Sequence, residues 1–257
     1  MLTFNVETFK LPCGYFDEQT ALLYTHIEIR EMTGREEDIL SDRKKLRSGT
    51  SINQVIANCT TLIMQPEGDK IETKLKLTPE TALNLTQGDR MFVLLKLRQV
   101  SHGDDYSFEI NCPHCDKKNA ATIKLSEIPS KEMANPRIRN YDFEVPNSSG
   151  GVDILTFKIS TGHEEIKMQK MVEQNPDKLA SVNLAARLLT VNGEAIRPIQ
   201  FLQDLPSRFL DAFRAKVIEV EGGVDTRLKD LHCVSCQSQI DIDLPMQESF
   251  FLPQSSR

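Results

Sequence analysis

Apolar and polar residues alternate toward the end of Thr20–Arg30, where Tyr-Thr-His-Ile-Glu-Ile-Arg reads as a strand. Thr33-Gly34-Arg35-Glu36 is a capping box, so a helix is expected from about residue 34, carrying Ile39, Leu40 and Leu46. Ser51–Ile56 begins a second helix, and Thr61-Leu62-Ile63 a short strand. Asp89 is placed to cap a helix running through Val100. Its Met91, Phe92, Leu94, Leu95 and Leu97 cover most of the helical circumference, which makes it a central core element.

The second half of the chain begins with Tyr106–Ile110 and Ala121–Leu125, both alternating like strands. Arg139–Val145 and Asp153–Ile159 are strands joined by a turn at Pro146–Gly151. Thr161 and Glu164 form a second capping box. Asn175-Pro176 is expected to open a helix through Leu189, with proline at its first position. Val191-Asn192-Gly193-Glu194 has hairpin-turn chemistry. Asp204-Leu205-Pro206 opens a last helix to about Val220, on which Phe209, Leu210, Phe213, Val217 and Ile218 form one apolar stripe read as core.

Composition narrows the functional classes. A net charge of −6 has the wrong sign for general attraction to nucleic acid or an anionic membrane. The longest basic run, Arg43-Lys44-Lys45-Leu46-Arg47, follows Glu36-Glu37-Asp38 and reads as a solvated helix face. Met91–Leu95 is followed by Lys96 and Arg98, too short an apolar run to span a bilayer. Met1–Asn5 lacks the features of a secretory signal, so a reducing cytosol is expected, where cysteines are thiols or metal ligands. Trp is absent and aromatics make up 6% of residues, so an aromatic-lined cleft is not expected. The sequence has no phosphate-binding glycine loop, dinucleotide fingerprint, nucleophile elbow or zinc-protease helix. Glu164/Glu165 and Asp225/Asp230 converge with no nucleophile pattern, so no enzyme is indicated.

Four of the six cysteines form two C-x-x-C pairs, Cys112-Pro113-His114-Cys115 and Cys233-Val234-Ser235-Cys236. Each pair can present two thiolates on one tight knuckle, and two facing knuckles make an all-sulfur tetrahedral site suited to zinc. Both segments read as knuckle, polar turn, strand and proline (Pro129 and Pro245), a weak internal repeat. Each half is expected to be a hairpin with the knuckle at its start, together a zinc ribbon holding one structural zinc per chain. The alternatives are a redox pair or unrelated thiols. A redox C-x-x-C would open a helix, whereas strand signals follow both pairs. His114 and His232 flank the knuckles and are expected outside the ligand set. Cys59 is expected in the core and Cys13 in a turn, Leu11–Tyr15, without chemistry.

More than a hundred residues separate the two pairs, so a domain must be inserted between the ribbon halves. Loop closure costs little more as a loop lengthens, and metal binding supplies on the order of 10 kcal/mol. The expected organisation is an α+β fold: residues 1–105 an N-terminal α+β region, 106–129 the first ribbon half, 130–230 an inserted α+β domain, and 231–257 the second half and tail.

Several segments occur in a telling order. They are Leu11-Pro12-Cys13-Gly14, His26–Arg30, Glu31–Glu37, Asp89–Arg98, Ser101–Tyr106 and the Cys112–Cys115 knuckle. In that order the chain resembles the baseplate hub protein family of contractile-tailed bacteriophages, over roughly residues 10–125 and again at Cys233–Leu244. The resemblance implies a non-catalytic hub subunit or a hub-assembly factor. It would be made in the host bacterial cytoplasm, reside in the virion tail baseplate and have other baseplate or tail proteins as partners, with its oligomeric state set by the assembly. A tail-assembly chaperone absent from the mature virion is one alternative. A zinc-ribbon nucleic-acid module is another, although it would surround the knuckles with cations, and only Lys117 and Lys118 stand near the first while Asp241 and Asp243 flank the second.

Overall fold

The computed structural model describes residues 4–42, 50–64, 72–147, 149–246 and 248–252. The basic run Arg43–Arg47, with Leu46, lies outside them.

An antiparallel sheet of order β1-β2-β3-β4 is formed by β1 (Val6–Asp17), β2 (Leu22–Arg30), β3 (Thr60–Met64) and β4 (Thr73–Lys76). Strands β2 and β3 fall where the sequence predicts strands, β1 and β4 where it predicts none, and Phe9, Ile27, Leu62 and Leu75 stand in register across the four. Helix α1 (Gly34–Ser41) begins at the Thr33 capping box and α2 (Thr50–Cys59) precedes β3. Helix α3 (Gln87–His102) packs against β1 and β2, with Phe92 edge-on to Phe9 at 6.3 Å between ring centroids. Its Phe92, Val93, Leu94, Leu95 and Leu97 are buried, which makes it the axis of a first core.

A second core gathers on a sheet of order β10-β9-β8: β8 (Asn140–Pro146), β9 (Val152–Lys158) and β10 (Leu188–Val191). It is covered by α4 (Gly162–Gln174), α5 (Leu179–Arg187), α6 (Pro198–Asp204) and α7 (Ser207–Val220). Phe213 stacks on Phe143 and meets Phe157 edge-on, with centroids 5.3 and 5.1 Å apart. The chain leaves for this core through β7 (Ser130–Lys131) and returns through β11 (Gly223–Val224). The two short strands pair with each other, Ser130 opposite Val224 and Lys131 opposite Gly223. Helices and antiparallel sheets together make the fold α+β. No helix among the described residues is long and apolar enough to cross a membrane.

Several local expectations are corrected. Leu11–Tyr15 is not a turn: it is the buried middle of β1, where the register shifts between Lys10 and Tyr15 and Gly14 adopts φ +74°. A bulge serves there because it bends the strand without ending it. Cys13 therefore sits in the second core, and burial followed by the nearby Asp89 charge pushes its thiol up to about 12. Cys59 is buried, as expected.

Asp89 is not the helix cap. Thr86 caps α3, its hydroxyl accepting from Asp89 N, and the fully buried Asp89 carboxylate accepts from Cys13 N at 2.8 Å. Asn175-Pro176 closes α4 rather than opening α5, because the Asn175 N–H is spent on Met171 and Val172 carbonyls. Leu188 and Leu189 belong to β10 rather than to a helix, and α6 was not anticipated. Ile218, assigned to the apolar stripe of α7, is 69% exposed, because only one side of that helix meets the sheet. A further short helix, α8 (Glu248–Phe251), brings Phe250 and Phe251 back to the first core.

The cores meet at glycines. Gly88 in the first turn of α3 lies directly against the Gly222–Gly223 backbone. A Cβ on Gly222 would fall 2.8 Å from Met133 N and 3.0 Å from Cys13 Sγ. Close approach of three backbones is possible there because side chains are absent.

Candidate metal centre

Strands β5 (Asp105–Asn111) and β6 (Lys118–Lys124) form one hairpin, in unbroken register from Asp105–Lys124 to Asn111–Lys118. Strands β12 (Arg227–His232) and β13 (Gln239–Asp243) form the other. Each C-x-x-C knuckle is the tip of its hairpin. The expectation that it stands at the hairpin's start is thereby corrected. For the second pair, the preceding strand β12 went unread because Arg227–His232 lacks clean apolar alternation.

The tips are built alike. Cys112 N donates to Lys117 O and Asp116 N to Cys112 O; Cys233 N donates to Ser238 O and Gln237 N to Cys233 O. Asp116 and Gln237, the corresponding residues, both take left-handed backbone, at φ 56° and 61°. His114 N and Ser235 N each point at the first sulfur of their own knuckle, at 3.4 Å. The internal repeat is thus a repeat of backbone geometry.

The four sulfurs lie within 4.8 Å of one another. Across the hairpins, Cys112 Sγ is 3.7 Å from Cys236 Sγ and Cys115 Sγ is 3.6 Å from Cys233 Sγ. These separations are far beyond a disulfide bond of about 2.05 Å. A tetrahedral ion with metal–sulfur bonds of about 2.3 Å spaces its sulfurs by about 3.8 Å, so the donor set fits a four-thiolate ion.

Cys112 and Cys233 are buried, Cys115 is partly covered and Cys236 is exposed. Ile240 is fully buried beside them, with Ile110, Leu231 and Ile242 packed around. The N–H groups of Cys236 and Ser235 draw the Cys233 thiol down to about 6. At Cys115 a favourable N–H from Lys117 is outweighed by burial and the neighbouring sulfurs, which push it up to about 12. Four thiols this close cannot all ionise without a cation among them.

Sequence reading missed Asn119. Its side chain is buried at 4% exposure, with Nδ2 donating to Lys117 O and Oδ1 accepting from Val234 N, both at 2.8 Å. One amide thus ties the first hairpin to the second knuckle. The only sequence signal was an asparagine in the polar stretch after Cys115, which turn propensity explained equally well.

His114 and His232 are exposed, and neither belongs to the cluster. Glu164 is held by Thr161 and Lys158, and Glu165 pairs with Arg90, so that acidic pair is structural. Among the described residues, the four thiols are the group of metal-ligating side chains that converges.

This is an α+β protein in which, among the described residues, four thiols converge as a possible metal site. Its sequence matches, over residues 8–252, the family model described as T4 bacteriophage base plate protein. The chain belongs to that family, so the expected phage baseplate role holds at that level, and the family implies a virion tail location and interaction with other tail proteins. No curated protein and no solved structure matches it.

Proposed function

We propose that the chain is a non-catalytic component of the baseplate hub, as a hub subunit or as a factor that assembles the hub, held together by one structural zinc on Cys112, Cys115, Cys233 and Cys236. The convergence of four sulfurs from two distant hairpins carries the zinc reading. Four thiolates close the coordination sphere and leave no position for water or substrate, the mark of a structural rather than catalytic zinc. On this reading the paired hairpins are a zinc ribbon split by an inserted domain, approximately residues 130–230. Pairing of β7 with β11 supports it, because the insertion then begins and ends at one place. The metal and that pairing together fix a large loop at both of its ends.

Zinc content tests the proposal. Purified full-length protein is expected to carry about one zinc per chain, and Cys112→Ser or Cys233→Ser to lose soluble protein. A metal-free chain that is fully folded would end the zinc reading. Mass spectrometry of purified virions decides between the two hub roles: a subunit is present, and an assembly factor has left.

A further inference from the structure

The sheet of the second core has an open edge. Strand β8 stands last in the order β10-β9-β8 and pairs with β9 alone. Ile159 N donates to Arg139 O just before the ladder, and Asn147 N to Gly151 O just beyond it. Both pairs continue the register that sets Asn140 against Lys158 and Pro146 against Val152. Bonded pairs alternate along an antiparallel ladder, so Tyr141, Phe143 and Val145 bond to β9. Asn140, Asp142 and Glu144 therefore turn their N–H and C=O groups outward, where no other described residue answers them. All three residues are exposed.

This edge is selective. Outward donors and acceptors on alternate residues call for an extended backbone laid alongside. Asp142 and Glu144 project from the solvent face of the sheet, where the residues opposite them on β9 are Thr156 and Ile154. Thr156 donates its hydroxyl to Asp142, and the cation of that face, Lys158, is spent on Glu164. Both carboxylates thus lack a counter-charge. On the core face Tyr141 and Phe143 are only partly covered. An added strand would set cations at two alternate positions and an apolar residue between them. Acidic edge side chains bar apolar and acidic segments and leave a basic one admissible.

We propose that β8 is a docking edge for a different protein, which adds an extended segment alternating lysine or arginine with apolar residues, its cations opposite Asp142 and Glu144. A second copy of this chain does not supply it. Antiparallel β8 against β8 sets carboxylate opposite carboxylate. The edge strand β4 carries Lys74 and Lys76, yet Lys74 is paired with Glu28 and Glu72, and Lys76 donates to the Asn58 and Thr60 carbonyls. The docking residues lie outside the thiol cluster, so nothing here rests on the zinc or hub reading. That the partner is a tail protein rests on the family alone.

The test uses full-length protein and synthetic peptides as long as β8, seven residues. One alternates lysine with valine, one alternates glutamate with valine, and one gathers the lysines and valines into separate blocks. The alternating basic peptide is expected to bind saturably, about tenfold or more tighter than the acidic one. It should slow amide exchange at Asn140, Asp142 and Glu144. Asp142→Lys combined with Glu144→Lys should reverse the preference. Asn140→Pro removes one outward N–H, touches neither a carboxylate nor a bond to β9, and should weaken the basic peptide. Should that variant not fold, exchange at the three amides of the unsubstituted protein still decides the backbone claim. Equal binding of basic and acidic peptides, equal binding of the blocked peptide, or binding without protection of those amides would overturn the edge. So would self-association that Asn140→Pro abolishes, since the occupant would then be a second copy. A complex with co-expressed tail proteins that survives the double lysine substitution would overturn the docking role.

Discussion

Hairpin β5–β6 pairs without interruption and is rooted in the first core, where Tyr106 is buried between Phe108 and Phe250 and its hydroxyl donates to Pro245 O at 2.7 Å. Hairpin β12–β13 carries the same knuckle on a weaker support. Its register breaks between Leu228 and Leu231, and Asp230 is forced to φ +69°. Beside the sulfurs themselves there is little apolar packing, with Ile240 the one fully buried hydrocarbon side chain of the cluster. The difference teaches where a metal would matter. The first hairpin sends Tyr106, Phe108 and Ile123 into the first core, while the second reaches it through Leu228 and, just past β13, Leu244.

The largest expected effect breaks both hairpins unequally. Chelation should remove stabilisation on the order of several kcal/mol. Hydrogen exchange should then accelerate first over residues 227–243 and later over 105–124, with β1–β3 still protected. Equal loss across all three would refute the unequal support.

A pH series separates this local effect from a global one. Asp89, which lies outside the thiol cluster, is raised by burial to about 6 against 3.8 when unfolded. Its folded form thus favours the proton: the associated stability is fully present below about pH 3.8 and is lost as pH rises through 6, to a total of about 3 kcal/mol. Asp89→Asn should flatten that part of the denaturation profile above pH 4 while leaving the order in which the hairpins open unchanged.

Smaller substitutions sharpen the comparison. Asn119→Ala strands Val234 N and should cost about 1–3 kcal/mol, read as a lower melting temperature and a lower metal affinity. Asp230→Gly relieves left-handed backbone at the bulge and should stabilise the second hairpin by up to about 1 kcal/mol, slowing exchange in β12 but not in β5.

Much of this was legible in residues that act on near neighbours. Both capping boxes, Thr33 with Glu36 and Thr161 with Glu164, form as read, since each needs only a span of four residues. Thr86 was harder to see, because Asp89 is also an acceptable cap and only its recruitment by Cys13 N decides between them. Ile218 fits an apolar stripe by spacing alone, yet spacing does not say how much of a helix a sheet will cover.

The candidate centre shows the same division. Sequence by itself determined that each cysteine pair makes a knuckle, since two thiols three residues apart and a polar turn are local properties. It also determined the alternating strands and the apolar axis of α3. Tertiary structure alone decided that Cys112 meets Cys236 and Cys115 meets Cys233, that Asn119 bridges the hairpins, and that Cys13 crosses into the second core. Those outcomes depend on contacts between residues distant in sequence, which no periodicity records, such as the pairing of β7 with β11 and the close backbone approach of Gly88 to Gly222 and Gly223.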